Sequence, residues 1–185
     1  MVNRYTILFV LLSVFSFSAI ADEEQKQKKK IYPSVETGIA IGGMFTDHGF
    51  TQHPLKTIHL TANIPFTDEV FYGVGAGLES GSGLNLIPLY LSFKGMFDDE
   101  GNTAFISSRF GYSLTWSYEN NHLKDYELPG GILFSGGVGY RFEMDDEKSL
   151  LLELGYHHQF LVEKYKNYEQ ELNLDMITLK VGVLF

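Results

Sequence analysis

Apolar and polar residues alternate with a period of two along most of the chain. The pattern is clearest in residues 177–185, where every odd position is apolar and the even positions up to Gly182 are polar or small. Alternation of this kind is typical of a β-strand with two unlike faces. Eight such runs follow one another: residues 32–44, 55–64, 70–80, 84–97, 103–118, 130–143, 149–162 and 172–185. The pattern therefore predicts an all-β chain.

The connectors and the chemistry of the two faces favour a membrane barrel. Connectors of residues 45–54, 119–129 and 163–171 are long, whereas most of the others are short turns. Each run is long enough to cross a bilayer as a tilted strand, which takes about 9–11 residues. One face of the strands is apolar and the other carries charges. A soluble sandwich would have to bury the charged face, and a soluble barrel would have to expose the apolar face to water; both are unfavourable. We therefore predict an eight-stranded antiparallel up-and-down transmembrane β-barrel.

One residue departs from the alternation in the fifth run. Phe105 falls on the face opposite to the other large apolar residues of residues 103–118. A β-bulge in the first half of that strand would explain the change of face.

The first residues have the composition of a secretory signal peptide. Arg4 is their only charge, residues 7–17 are apolar, and residues 18–21 read Ser-Ala-Ile-Ala, a cleavage site of the A-x-A type. The apolar run is shorter than the roughly 20 residues of a spanning helix. The expected organisation is a signal peptide (1–21), a charged periplasmic arm (22–31) and an outer-membrane barrel (32–185).

Composition narrows the classes of partner. The formal net charge is −9, and an acidic chain is a poor match for nucleic acid phosphates. The chain has no cysteine, which excludes a disulfide framework. Its aromatic content of 15% and its 19 glycines suit strands that pack closely in a barrel with aromatic girdles at the membrane interfaces.

Several stretches resemble one family. Residues 86–91 (LIPLYL), 135–142 (SGGVGYRF) and 152–156 (LELGY), together with the leader and the terminal Phe185, resemble the small outer-membrane β-barrels of the OmpX and OmpA-transmembrane type. The resemblance implies the fold, a Gram-negative host, and a role for Phe185 as the C-terminal barrel-assembly signal. It does not imply a particular task.

Six charged residues are expected to face the lumen. An eight-stranded barrel is just wide enough for its side chains to fill, so these charges should pair and plug it rather than line a pore. Arg141 and Glu153 lie on either side of a tight turn. Both fall on the inward face in the alternating pattern, so they are expected to face each other. The predicted lumen charge network is Glu36, Lys94, Arg109, Arg141, Glu153 and Lys180.

An enzyme is the main alternative. The lipid A deacylase family resembles this chain in size and architecture and uses a His-x-Ser pair with an acidic partner. Here His157 and His59 are the nearest analogues, and both lack the serine. Asp47-His48 could serve in the manner of the palmitoyltransferase barrel, again without a serine motif. We expect His157 to face the lumen and His158 the lipid.

No metal or cofactor is expected. His48 and His53 lie in one loop with Asp47, but their loose spacing is weak evidence for a zinc or copper site, which needs three or four converging ligands. The long loops carry Tyr126, Tyr165 and Tyr168, which could contact lipopolysaccharide or a partner.

The sequence thus favours a non-enzymatic protein of the cell outer membrane, exported through a cleaved signal peptide, with a structural, envelope-integrity or adhesion-like role. The expected partners are outer-membrane lipid, lipopolysaccharide and, during biogenesis, the barrel-assembly machinery. A monomer is expected. The alternatives are a lipid A-modifying enzyme and, third, a soluble lipocalin-like binding barrel in the periplasm.

Overall fold

The computed structural model describes residues 31–46, 49–81, 83–98, 101–118, 126–145, 148–165 and 168–185. In these residues there are ten strands: β1 (Tyr32–Thr46), β2 (Gly49–Gln52), β3 (Leu55–Pro65), β4 (Val70–Gly81), β5 (Leu84–Met96), β6 (Thr103–Tyr118), β7 (Tyr126–Glu127), β8 (Gly130–Asp145), β9 (Lys148–Tyr165) and β10 (Tyr168–Leu184). None of the described residues belongs to a helix that could cross a membrane. The predicted signal peptide and all but Ile31 of the predicted arm lie outside the described residues.

Eight long strands close into a barrel. Strands β1, β3, β4, β5, β6, β8, β9 and β10 each pair antiparallel with the next of these strands. The first and last strands also pair, with Val35 opposite Val183 and Ile41 opposite Ile177. The predicted eight-stranded antiparallel up-and-down β-barrel is confirmed.

The barrel has two unlike ends. The terminal end carries Tyr32, Phe185, the turn of residues 66–69 and residues 97–98 and 101–102 of the next connector. The backbone N–H of Phe185 donates to the carbonyl of Pro33 (2.9 Å), so the last residue is held against the start of β1. The loop end carries the longer connectors, and the short strands β2 and β7 pair there with β1 and β9.

The apolar face of most strands points outward, as the period-two pattern predicts. The outward side chains form a belt around the barrel, and many of them are about half exposed. The belt is formed on β1, β3, β4, β5, β6, β8, β9 and β10 by residues such as Ile39, Leu60, Val74, Leu91, Phe110, Val138, Leu154 and Leu179.

The prediction of a bulge near Phe105 is wrong. Phe105 points into the lumen and is almost fully buried, while Ile106 beside it points outward, so the alternation is regular there. The register shift of this strand pair lies elsewhere, between Asn85 and Leu86 of β5. Phe105 faces inward because it helps to close the end of the barrel.

Glycine makes room for large side chains inside the narrow lumen. Tyr90 lies directly opposite Gly75 in the β4–β5 register, and a Cβ built on Gly75 would come within 2.4 Å of the Tyr90 ring. Phe105 and Gly139 are opposed in the same way across β6 and β8, with a separation of 2.3 Å. A bulky lumen residue therefore lies over a glycine of the neighbouring strand, which explains why glycine recurs on the inward face.

Candidate functional site in the barrel lumen

Glu36 on β1 anchors one half of a buried charge network. Lys94 Nζ on β5 donates to Glu36 Oε1 (3.2 Å), and Arg109 Nη2 on β6 donates to Glu36 Oε2. All three side chains are at most 5% exposed. These contacts cross the lumen, since β1 is not a neighbour of β5 or β6 in the sheet.

Glu153 on β9 anchors the other half. Lys180 Nζ donates to Glu153 Oε1 (2.9 Å) from the adjacent strand β10, and Ser107 Oγ donates to Glu153 Oε2 (2.8 Å) from β6, which lies on the far side of β8. Arg109 Nη2 also lies 3.8 Å from Glu153 Oε2. Because Arg109 contacts both carboxylates, the two halves form one network.

Two aromatic rings flank the cations of this network. The Arg109 guanidinium lies over the Tyr90 ring at 5.4 Å, and Lys94 Nζ lies at the same distance from the Phe105 ring. The Tyr90 hydroxyl is in turn hydrogen-bonded to Thr61 (3.0 Å). These cation–π contacts compensate part of the hydration that the buried cations lose.

Arg141, the sixth predicted member, lies outside the network. Its guanidinium donates to the carbonyl of Gly101 (3.0 and 3.1 Å), and its strand partner on β9 is Leu151 rather than Glu153. The predicted pairing of Arg141 with Glu153 is therefore wrong. Arg141 lines a polar vestibule of about 920 Å³ at the terminal end, together with Asp68, Glu143 and other residues of the turns.

A second polar group lies nearer the loop end, and the sequence reasoning missed it. Glu79 on β4 approaches two buried histidines, with Oε1 3.5 Å from His59 Nε2 and Oε2 3.8 Å from His157 Nε2. His157 Nε2 also lies 3.4 Å from Gln159 Oε1. In the alternating pattern of β4, Glu79 falls on the face that points into the lumen, and this position is the signal in the sequence that could have identified it.

The buried charges of the described residues balance. They comprise three carboxylates, Glu36, Glu79 and Glu153, and three cations, Lys94, Arg109 and Lys180. With neutral histidines, the described lumen has no net charge. A cavity of about 10 Å³ lies between the network and the histidine group, about the room that one water needs.

Apolar side chains close the lumen at both ends, which the sequence did not predict. The terminal cluster consists of Phe71, Met96, Phe105, Leu151 and Leu184. The loop cluster consists of Ala40, Met44, Leu55, Leu84, Leu86, Leu128, Leu161, Leu172, Leu174 and Met176. The charge network therefore lies between two apolar layers, and the vestibule ends on the terminal cluster.

The histidines that were considered for catalysis divide between two environments. His59 and His157 are buried in the lumen. His158 points outward and contacts Asp175 (2.6 Å). No set of three or more His, Asp or Glu side chains in the described ranges is arranged to hold a metal ion. Asp47, His48 and the side chains of Tyr126, Tyr165 and Tyr168 lie outside the described part of the chain.

Several solved structures are similar to this fold, and two of those described below are named as outer membrane proteins. The crystal structure of Neisserial surface protein A superimposes with a TM-score of 0.60 and 13% identity, over 83% of this chain and 95% of that chain. The outer membrane protein OprG from Pseudomonas aeruginosa gives 0.56 and 10%, over 84% and 95%. The outer membrane protein AlkL gives 0.50 and 10%, over 88% and 93%. Identities this low show the fold alone.

Sequence comparisons add no closer relative. No family model matches the chain, and no curated protein matches it either.

Proposed function

We propose that this chain is a non-enzymatic protein of the Gram-negative outer membrane, with a closed lumen and a structural or surface-interaction role. The observation that carries the proposal is the inverted arrangement of the barrel. Large apolar side chains cover the outside, while paired charges are sealed inside between the terminal and loop clusters. Such a wall is stable in lipid and unfavourable in water.

The outward belt supports the membrane location. Apolar side chains such as Leu60 (57% exposed), Val138 (61%) and Leu91 (59%) would form a contiguous apolar surface on a soluble protein. Surfaces of that kind lead to aggregation unless they are covered. The lipocalin-like alternative also needs an internal ligand cavity, and the cavity described in the lumen has about 10 Å³.

The packed lumen argues against transport as the main task. The network couples five strands through Glu36, Lys94, Arg109, Glu153 and Lys180, and both ends of the lumen are apolar. An ion would have to displace these contacts in order to pass. The parts of the barrel that can interact with its surroundings are then the outer wall, the terminal end and the loop end.

The loop end supports a role at the cell surface. Strands β9 and β10 continue as a hairpin through Tyr165 and Tyr168, and β2 forms a second hairpin with β1 in which Phe45 and Phe50 are in ring contact (4.9 Å between centroids). Strand termini that extend in this way can present loops to lipopolysaccharide or to another surface. One structural neighbour bears the name surface protein.

The location is tested by fractionation. We expect the processed chain, lacking residues 1–21, in the outer-membrane fraction as a monomer whose migration on a gel changes on heating. Recovery of the folded chain in the soluble periplasmic fraction without detergent would contradict the proposal.

The role is tested by genetics and lipid chemistry. A deletion strain should become more sensitive to detergents or attach less well to surfaces, and the wild-type gene should restore both properties.

Lipid A from cells that overproduce the protein should keep its mass spectrum. A species that has lost or gained an acyl chain, and that disappears with His158→Ala or His157→Ala, would favour the enzyme alternative instead.

A further inference from the structure

Three polar side chains form a cluster on the outer wall of the barrel. Tyr156 and His158 project outward from β9, and Asp175 projects outward from β10 directly opposite His158. His158 Nδ1 lies 2.6 Å from Asp175 Oδ1, and the Tyr156 hydroxyl donates to the same oxygen. We call these residues the wall cluster. A carboxylate on a lipid-facing wall is unusual enough to suggest a function.

The wall cluster lies at the border of the apolar belt. On β10 the outward residues below Asp175 are apolar, beginning with Ile177 and Leu179, whereas Asn173 and Glu171 follow above it. In a membrane this border is the level of the lipid headgroups. Phe134 on β8 lies level with His158, and Phe160 on β9 lies one step above it, as in an aromatic girdle at a membrane interface, so we place the cluster at the headgroup level.

Two polar atoms of the wall cluster remain available. Both hydrogen bonds to Asp175 use Oδ1, so within the described residues neither Asp175 Oδ2 nor His158 Nε2 has a hydrogen-bond partner. Asp175 is 29% exposed and His158 20%, so the two atoms are accessible from one side. A donor group that arrives from the membrane can be bound there.

The surroundings select the charge of that donor. The Phe160 ring contacts His158 edge-on with 4.2 Å between centroids, and Phe134 on β8 stands opposite His158 in register. A carboxylate bordered by aromatic rings favours an ammonium group, through an ion pair and cation–π attraction. The negative charge of Asp175 itself disfavours a bare phosphate.

We propose that the wall cluster binds the primary ammonium headgroup of a membrane lipid. Asp175 Oδ2 would accept from the ammonium, His158 Nε2 would accept a second hydrogen bond, and Tyr156 would hold the carboxylate in place. The proposal rests on the membrane insertion proposed above, and it assigns a ligand class to the outer wall rather than to the lumen.

Lipid retention in native mass spectrometry tests the proposal. The folded full chain is equilibrated in detergent micelles with equal amounts of phosphatidylethanolamine, phosphatidylcholine and phosphatidylglycerol, with a chelator present. We expect the wild type to retain phosphatidylethanolamine about tenfold more than either other lipid, the size of one charge-assisted contact. Asp175→Asn should abolish the preference. Glu171→Gln, which removes a charge from the same face of β10, should keep it.

Several outcomes would overturn the proposal. These are equal retention of the three lipids, an unchanged preference in Asp175→Asn, a preference for phosphatidylglycerol that requires added Mg²⁺, or release of a fatty acid, which would make the cluster hydrolytic. Each sample is also tested for heat-modifiable migration. A folded band without lipid preference contradicts this inference alone, whereas absence of a folded, membrane-inserted form contradicts the proposed function.

Discussion

At the scale of single residues, the lumen depends on side chains that fit only because a glycine or a charge partner faces them. Tyr90 lies over Gly75 and is held by Thr61, and Arg109 lies on its ring. Such a core tolerates little added volume, since overpacking forces side chains and backbone to shift.

We expect Gly75→Ala to destabilise the barrel by about 1–3 kcal/mol. The new methyl group would come within 2.4 Å of the Tyr90 ring, and Tyr90 cannot move without disturbing Thr61 and Arg109. Gly95→Ala is the matched control, because a Cβ there has its nearest neighbour at 3.5 Å. The measurement is the urea midpoint of unfolding in lipid vesicles. Equal losses in the two variants would contradict the close packing over Gly75.

Glu153 and Lys180 should be strongly coupled. Glu153→Ala leaves the buried Lys180 without its carboxylate, which typically costs about 3–5 kcal/mol. Lys180→Ala should cost less, because Glu153 keeps its contacts with Ser107 and Arg109. The double variant should cost much less than the sum of the single changes. Glu153→Ala and Arg141→Ala should be additive, since Arg141 bonds Gly101 instead. If the effects of Glu153→Ala and Lys180→Ala on the free energy of unfolding were additive, the contact between the two residues would contribute nothing to stability.

At the scale of elements, the sequence predicted the eight barrel strands and their bounds to within a few residues. Period-two alternation sufficed because the outward face of each barrel strand is apolar and the inward face is mostly polar or small. It failed for the outer parts of β9 and β10, which fall in the predicted loop of residues 163–171, because their outward residues, such as Glu169 and Glu171, are not apolar. Parity placed Glu79, His59 and His157 on inward faces. Their contacts across the lumen could not be predicted, because they depend on the stagger between strands that are not adjacent.

The outer part of the β9–β10 hairpin carries an exposed ion pair, whose effect on pKa values and on stability can be measured. Its Lys164–Glu169 pair (2.6 Å) keeps the pKa of Glu169 below the ordinary 4.5 and raises that of Lys164 above 10.5, in both cases mainly through their hydrogen bond. The stabilisation by Glu169 is complete above pH 4.5 and is lost as the pH falls through its lowered pKa. That by Lys164 is lost as the pH rises through its raised pKa.

We therefore expect an NMR titration of the Glu169 carboxylate to have its midpoint below 4.5, and Lys164→Ala to return it toward that value. The same variant should change the unfolding midpoint far less than Lys180→Ala does, because Lys164 is 42% exposed and Lys180 is 4% exposed. A larger effect of Lys164→Ala would mean that the hairpin, rather than the lumen, limits stability.

At the scale of the whole molecule, the barrel is closed in two senses. Its sheet has no free long edge, since β1 and β10 pair. Within the residues that the structure describes, the terminal and loop clusters lie on either side of the charges in its lumen. A polar interior that is sealed in this way acts as a core.

Planar-bilayer recordings should show no steady ion conductance for the inserted wild-type chain. A general porin recorded under the same conditions provides the positive control. Steady conductance at a defined level would mean that the apolar clusters open in the membrane, and the closed-lumen proposal would give way to a small channel.

The pairing of the first strand with the last also has a kinetic consequence. Glu36 on β1 finds Lys94 and Arg109 at sequence separations of 58 and 73 residues, and β1 meets β10 only after the whole chain has been arranged. Contacts between residues so distant in sequence form slowly, because the intervening chain must lose its freedom first. The seam and the contacts of Glu36 should therefore form late, whereas Glu153 and Lys180 can pair earlier because they lie opposite each other in the β9–β10 hairpin. Until the seam closes, Glu36 lacks its cations, so a partly built barrel gains only part of the stabilisation of its interior, and we expect folding to be slow and without long-lived half-closed forms.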